Sequence, residues 1–267
     1  MNAKNFSLKA QYTITDLLQI MKLLRSPDGC PWDREQTHTS IRNNLLEEAY
    51  ETADAIDMTD DVALCEELGD LLLQVVFHAQ IAKEAGQFDF DNVADGICKK
   101  LILRHPHIFG DTVVADSQQV LRNWDSIKMQ EKGQHSYTDT LQSVPKAFPA
   151  LMRAAKLQKR AAKAGFDWED VTGPLAKVRE ELDELEDAIE SGEAARLQEE
   201  YADLLFAAVN MSRFLQIDAE QALQSGCEKF IRRFAQMEQL AAQQGMKLDT
   251  ASSEQMDKLW DEVKSME

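Results

Sequence analysis

Basic residues are scarce in this chain: 29 lysines and arginines face 47 acids, a net charge of -18. Nucleic-acid duplexes are held largely by basic side chains that release counterions, so this imbalance argues against a nucleic-acid polymer as ligand. Where an anion does bind, a local cation must reverse the field. Proline and glycine are few, six and 11 among 267 residues, and aromatic residues make up only 7%. With so few breakers, the long Ala/Leu/Glu/Gln/Lys segments leave an all-α protein as the expected class. The four cysteines, Cys30, Cys65, Cys98 and Cys227, contain no CxxC pair and follow no secretory signal, so they read as reduced thiols of a cytoplasmic protein. Apolar runs are broken by Gln74 or by acids well short of the ~18 residues a membrane span requires. A soluble protein is expected. Glycine-rich phosphate loops, GxSxG elbows and paired catalytic cysteine and histidine are also missing.

What the chain does have is a repeat. EEAYE at Glu47 to Glu51 and EELGD at Glu66 to Asp70 return as EELDE at Glu180 to Glu184 and EEYAD at Glu199 to Asp203, each position displaced by 133, as from Glu47 to Glu180. Around them, Gly29-Cys-Pro-Trp32 corresponds to Gly165-Phe-Asp-Trp168, Lys100 and Arg104 to Lys229 and Arg233, and WDSIK at Trp124 to WDEVK at Trp260. Two copies of one helical unit are therefore expected, residues 1–132 and 151–267. Residues 133–150 carry two prolines and no helical period, and read as a linker. Turns are expected at Asp57 to Asp61 and at Ser191-Gly192, each between an ExxE helix and an ExxD helix, which makes those helices antiparallel neighbours. Asp218 and Gln221 look like a capping box opening the helix of Lys229 and Arg233.

An i,i+3 spacing puts two side chains on one helix face, so Glu181 and Glu184 project together, as do Glu200 and Asp203. At ~100° per residue Glu181 lies near the apolar stripe of Val178, Leu182, Leu185 and Ile189, and Glu180 points farther out. Leu204, Leu205 and Phe206 follow Asp203, so Asp203 is expected to be buried. Glu48, Glu51, Glu67 and Asp70 repeat the set. Crowded carboxylates in a partly dry crevice resist ionisation unless compensated, and an all-oxygen set selects magnesium or manganese over zinc or copper. The five histidines all precede the second copy, so its site must work without imidazole.

An acid-rich helix face is usually only solvated surface. The duplication and the leucine neighbours argue against that reading here. Magnesium held by a few carboxylates shares its coordination with substrate phosphates, and a phosphate chain needs fixed positive charge. Lys177, Arg196, Lys229, Arg232 and Arg233 supply it in the second copy. The first has Asn44, Ala63 and Leu103 in place of Lys177, Arg196 and Arg232, which makes the second copy the better triphosphate site. Trp124 and Trp260 can stack on a base or simply fill a core. A di-iron carboxylate bundle would want two ExxH motifs, whereas ExxD stands in both places. A non-catalytic metal-binding or partner-docking helical protein is the alternative.

The combination of EExxE and ExxD with CPWD at Cys30 to Asp33, RHPHIF at Arg104 to Phe109 and GFDW at Gly165 to Trp168 resembles MazG, the nucleoside triphosphate pyrophosphohydrolase family, over nearly the whole chain in two tandem domains. The resemblance implies an all-α fold with four-helix-bundle active sites completed by homodimerisation. It implies cleavage between the α and β phosphates of nucleoside triphosphates with broad base tolerance. By the same resemblance the metal ligands fall on Glu181, Glu184, Glu200 and Asp203. Nucleotide contacts fall on Lys177, Val178, Arg179, Glu180 and Glu181, on Arg196, Leu197, Gln198 and Glu199, on Asp203, on Lys229, Phe230, Ile231, Arg232 and Arg233, and on Trp260. Water, activated with magnesium, would attack the α phosphorus in line, positioned or deprotonated by Glu180 or Glu181.

Overall fold

The computed structural model describes residues 6–267, which are helical apart from turns and loops, with no strand among them. They divide into two compact units, Met1–Lys128 and Met129–Glu267. The first unit contains α1 (Ile14–Leu24), α2 (Pro31–Glu35), α3 (Arg42–Asp57), α4 (Asp61–Glu84), α5 (Phe90–Arg104), α6 (Pro106–Phe109) and most of α7 (Ser117–Glu131). The second contains α8 (Tyr137–Gln142), α9 (Ala150–Ala162), α10 (Thr172–Ser191), α11 (Ala194–Phe214), α12 (Ala219–Gln243), a single 3-10 turn (Leu248–Thr250) and α13 (Ser253–Ser265).

In the first unit α3 and α4 lie side by side, and α4 also packs on α1 and α5. The chain reverses through Thr59, whose positive φ of 57° sharpens the turn, and Asp60 then caps α4 by accepting from the Val62 and Ala63 N–H groups. Met21, Ile41, Val76 and Phe77 form the core against which Leu17, Leu18, Leu73 and Phe90 pack. The second unit repeats the pairing with α10 against α11, and α9 covers α11. Here the reversal uses Gly192, left-handed at φ 71°, a conformation glycine adopts without steric penalty. Asp218 caps α12 by accepting from the Gln221 N–H at 3.1 Å. Met237 and Ala241 of α12 bury Leu259 and Val263 of α13, each large side chain contributing about 1.5–3 kcal/mol.

The segment read as a linker, residues 133–150, contains a short helix. Ser136 and Asp139 form a reciprocal capping box, with the Asp139 N–H donating to Ser136 Oγ at 3.0 Å and the Ser136 N–H to the Asp139 carboxylate at 2.9 Å. That starts α8. Arg160 of α9 then donates to the Thr140 carbonyl and, at 2.7 Å, to Ser143 Oγ. Residues 137–143 thus belong to the second unit, and the division falls within α7.

The two GxxW stretches need glycine for different reasons. A Cβ on Gly29 would sit 2.2 Å from the Leu24 carbonyl oxygen and 2.3 Å from that of Leu23. Gly165 instead has a φ of 85°. Gly29→Ala should destabilise the protein by about 1–3 kcal/mol, because backbone must shift to admit the methyl. Gly69→Ala is the control. Gly69 has open space around its Cβ position inside α4, so alanine there should add about 0.5–1 kcal/mol. Thermal melts of the two variants should move in opposite directions, and equal shifts would contradict this packing.

Candidate functional site

The acids of the second unit converge as a consequence of the α10–α11 pairing. Glu181 and Glu184, one turn apart on α10, meet Glu200 of α11, each offering an oxygen within 4.8 Å of the other two. Glu181 is buried, at 5% exposure, whereas the side chain of Glu180 is 57% exposed. The set is partly neutralised from within. Lys177 Nζ lies 2.6 Å from Glu181 and 2.8 Å from Glu180, and Arg196 lies 3.5 Å from Glu200. The Lys177–Glu181 and Arg196–Glu200 pairs are both i,i+4, so each cation comes from the same helix as its acid. Hydrogen bonds to Glu180 and then Glu181 hold the Lys177 ammonium well above the ordinary lysine range. Glu184 gains less relief: burial, then the Glu181 charge, pushes its carboxyl up, and the Lys177 charge offsets this only in part.

The first unit also gathers three of its four repeated acids, but a different three, and without the bases. Glu48, Glu67 and Asp70 gather within 4.8 Å of one another. Burial, followed by the Asp70 and Glu51 charges, raises Glu48; burial, followed by the Glu51 and Asp70 charges, raises Glu67. Buried Gln74, four residues beyond Asp70 on α4, donates to Glu48 at 3.4 Å. Gln74 is a contact the sequence reading missed; its place on Asp70's face of the helix was the available signal.

Two expected ligands stand apart. Asp203 is exposed and outside the tight group. Burial was inferred from the apolar residues after it, but Leu205 and Phe206 are themselves 43% and 42% exposed, so that run marks a face this unit does not cover. Glu51 lies close enough to raise Glu67 yet outside the tight trio of the first unit. Among the remaining candidates, Val178 and Leu197 are half-buried, and Arg179, Gln198 and Glu199 are exposed.

Lys229, Phe230, Ile231, Arg232 and Arg233 sit on α12, which packs on α9 and α13 rather than along α10 and α11. Trp260 of α13 meets Phe230 at 5.4 Å between ring centroids and rests on the α12–α13 core, so it has a structural contact as well as a half-exposed face. In the first unit, Trp124 is instead edged by His105 at 4.9 Å and faced by Arg104 at 5.5 Å.

All-oxygen donors, with Glu181 deeply buried and Glu184 resisting ionisation, fit a hard divalent cation. Fold and site together define an all-α protein in which paired helices carry a cluster of acids beside basic groups suited to an anion. The chain belongs to the MazG family: the model of the MazG nucleotide pyrophosphohydrolase domain matches residues 36–109 and 170–237. It is 46% identical over 259 residues to the nucleoside triphosphate pyrophosphohydrolase of Escherichia coli K12, covering 95% of this chain and 98% of that protein. It is 45% identical over 249 residues to the nucleoside triphosphate pyrophosphohydrolase/pyrophosphatase MazG of Thermotoga maritima, covering 93% and 94% respectively. The uncharacterized protein YabN of Bacillus subtilis is 49% identical over 249 residues, which span 93% of this chain and 51% of that protein. No helix of the described residues is long and apolar enough to cross a membrane.

Proposed function

We propose that this chain hydrolyses nucleoside triphosphates between the α and β phosphates, releasing the monophosphate and pyrophosphate, with little selection of the base. The observation that carries the reading is the trio Glu181, Glu184 and Glu200 with Lys177 and Arg196 attached to it. The same constellation lies on a chain nearly half identical to proteins named for that activity.

Glu181, Glu184 and Glu200 would hold magnesium or manganese, with Asp203 one turn beyond Glu200. When bound, the cation would draw charge from the phosphate oxygens and make water a better nucleophile. Glu180 or Glu181 would position the attacking water or take its proton. Lys177 and Arg196 would turn from the carboxylates toward the phosphates, and Lys229, Arg232 and Arg233 would offset charge on departing pyrophosphate.

Because α12 lies away from the acid helices within the unit, we infer a homodimer in which the site is completed. Exposed Leu182, Ile189, Leu205, Phe206, Phe230 and Ile231 supply apolar surface for it. The first unit, with Asn44 and Ala63 in place of the two attached cations, is the weaker or non-catalytic copy. We place the protein in the cytoplasm, acting on free nucleotides rather than on nucleic acid or membrane.

Incubation with a nucleoside triphosphate and magnesium should give monophosphate and pyrophosphate in equal amounts, and none after chelation. Release of orthophosphate and diphosphate, or full activity in chelator, would overturn the assignment.

A further inference from the structure

Arg233 does not wait open for a ligand. Its Nε and Nη2 donate to a single carboxylate oxygen of Glu267 at 3.1 and 2.5 Å. The geometry is set by the helix pair: Arg233 lies one turn before Met237 on α12, Glu267 lies one turn beyond Val263 of α13, and Met237 and Val263 are in one buried cluster. Arg233 is half-buried and Glu267 exposed, with side chains 21% and 38% exposed. Arg233 first, then the charges of Arg232 and Lys229, hold the Glu267 carboxyl below its ordinary range. Glu267 pairs with Arg233 and lies within the field of Arg232 and Lys229, and among the described residues no other acid forms an ion pair with Arg233.

We propose that Glu267 is a resident anion that competes with phosphate oxygens for Arg233, so that only a highly charged phosphate tail takes the site. The proposal rests on the reading that Lys229, Arg232 and Arg233 bind the phosphates. A carboxylate carries one negative charge and a triphosphate three or four, so the triphosphate displaces it where a monoanion does not. Glu267 touches neither the acid trio nor its attached cations, so it acts on ligand affinity through Arg233 alone. Its removal strengthens binding, the opposite of what loss of a merely supporting ion pair does.

The test is calorimetric titration of the full-length protein with magnesium and a nucleoside triphosphate whose α–β bridge is methylene, which resists cleavage. Glu267→Gln should tighten the dissociation constant about two- to fivefold at low salt, the range of a partly exposed ion pair. The gain should fade at high salt, where such pairs are screened. Arg233→Gln should weaken binding, and adding Glu267→Gln to it should change nothing further. If Arg233→Gln weakens binding but Glu267→Gln leaves it unchanged or weaker, the competition is refuted and the phosphate assignment stands. If Glu267→Gln tightens binding equally in both backgrounds, the effect is general charge and the proposal also fails. If Arg233→Gln has no effect, the phosphate assignment itself is wrong.

Discussion

Glu184→Ala should cut pyrophosphate release by on the order of a hundredfold or more, as expected when a group that stabilises developing charge is deleted. Glu67→Ala in the first unit should leave at least half of it. Glu184 meets Glu181 and Glu200 inside the tight group, so on the proposed reading its loss leaves Glu181, Glu200 and Asp203 to hold the dication. Folding should not suffer. Burial and the Glu181 charge raise the Glu184 carboxyl, which means its ionised form costs the empty protein stability at neutral pH. The variant should therefore melt at the parent's temperature or slightly above it when no cation is present. Turnover near the parental rate would remove Glu184 from the ligand set. A lowered melting temperature would mean that the lost activity reports unfolding. Equal losses in the two variants would make the two units equivalent.

Lys177→Met should produce a large change in stability. It leaves Glu181, 5% exposed, beside Glu184 and Glu200 with its nearest cation gone. Stranding a fully buried charge costs about 3–5 kcal/mol. Lys177 is 36% exposed, so solvent supplies part of what the ammonium did and about 1–3 kcal/mol is the expected loss. At roughly 2–4 °C per kcal/mol for a unit of this size, the melting temperature should fall by several degrees. Millimolar magnesium or manganese should recover most of that, because a cation among the carboxylates takes over the lost compensation. An unchanged melting temperature, or a deficit that divalent cations leave untouched, would show that Lys177 is a surface pairing with no hold on the acids.

The acid-bearing helix pairs were legible because their signal is local. ExxE and ExxD fix a face by spacing alone, and Asp60 and Gly192 mark the reversals with residue types whose backbone preferences are strong. The helix at Tyr137–Gln142 was not legible, since six residues are too few to show a period and prolines nearby suggested a linker. Its one sequence signal was Ser136 three residues before Asp139. The exposure of Asp203, which was expected to be buried, has another cause. A run of leucine and phenylalanine reports an apolar face, but not whether that face meets this unit's core or remains uncovered. The Arg233–Glu267 contact is 34 residues long-range, and no periodicity links an arginine in one helix to a glutamate past the end of another.

The placement of Lys177 and Arg196 on the same helices as their acids also bears on how the chain assembles. The α10–α11 hairpin closes over a two-residue turn, so its contacts are short in sequence and its helices come together early, before distant segments arrive. A hairpin that closes first brings its carboxylates together before distant segments can relieve them. In the second unit relief is built into the hairpin. In the first, where Asn44 and Ala63 hold those positions, the corresponding step falls to ions in the surrounding solution, and its speed should track how much divalent salt is present.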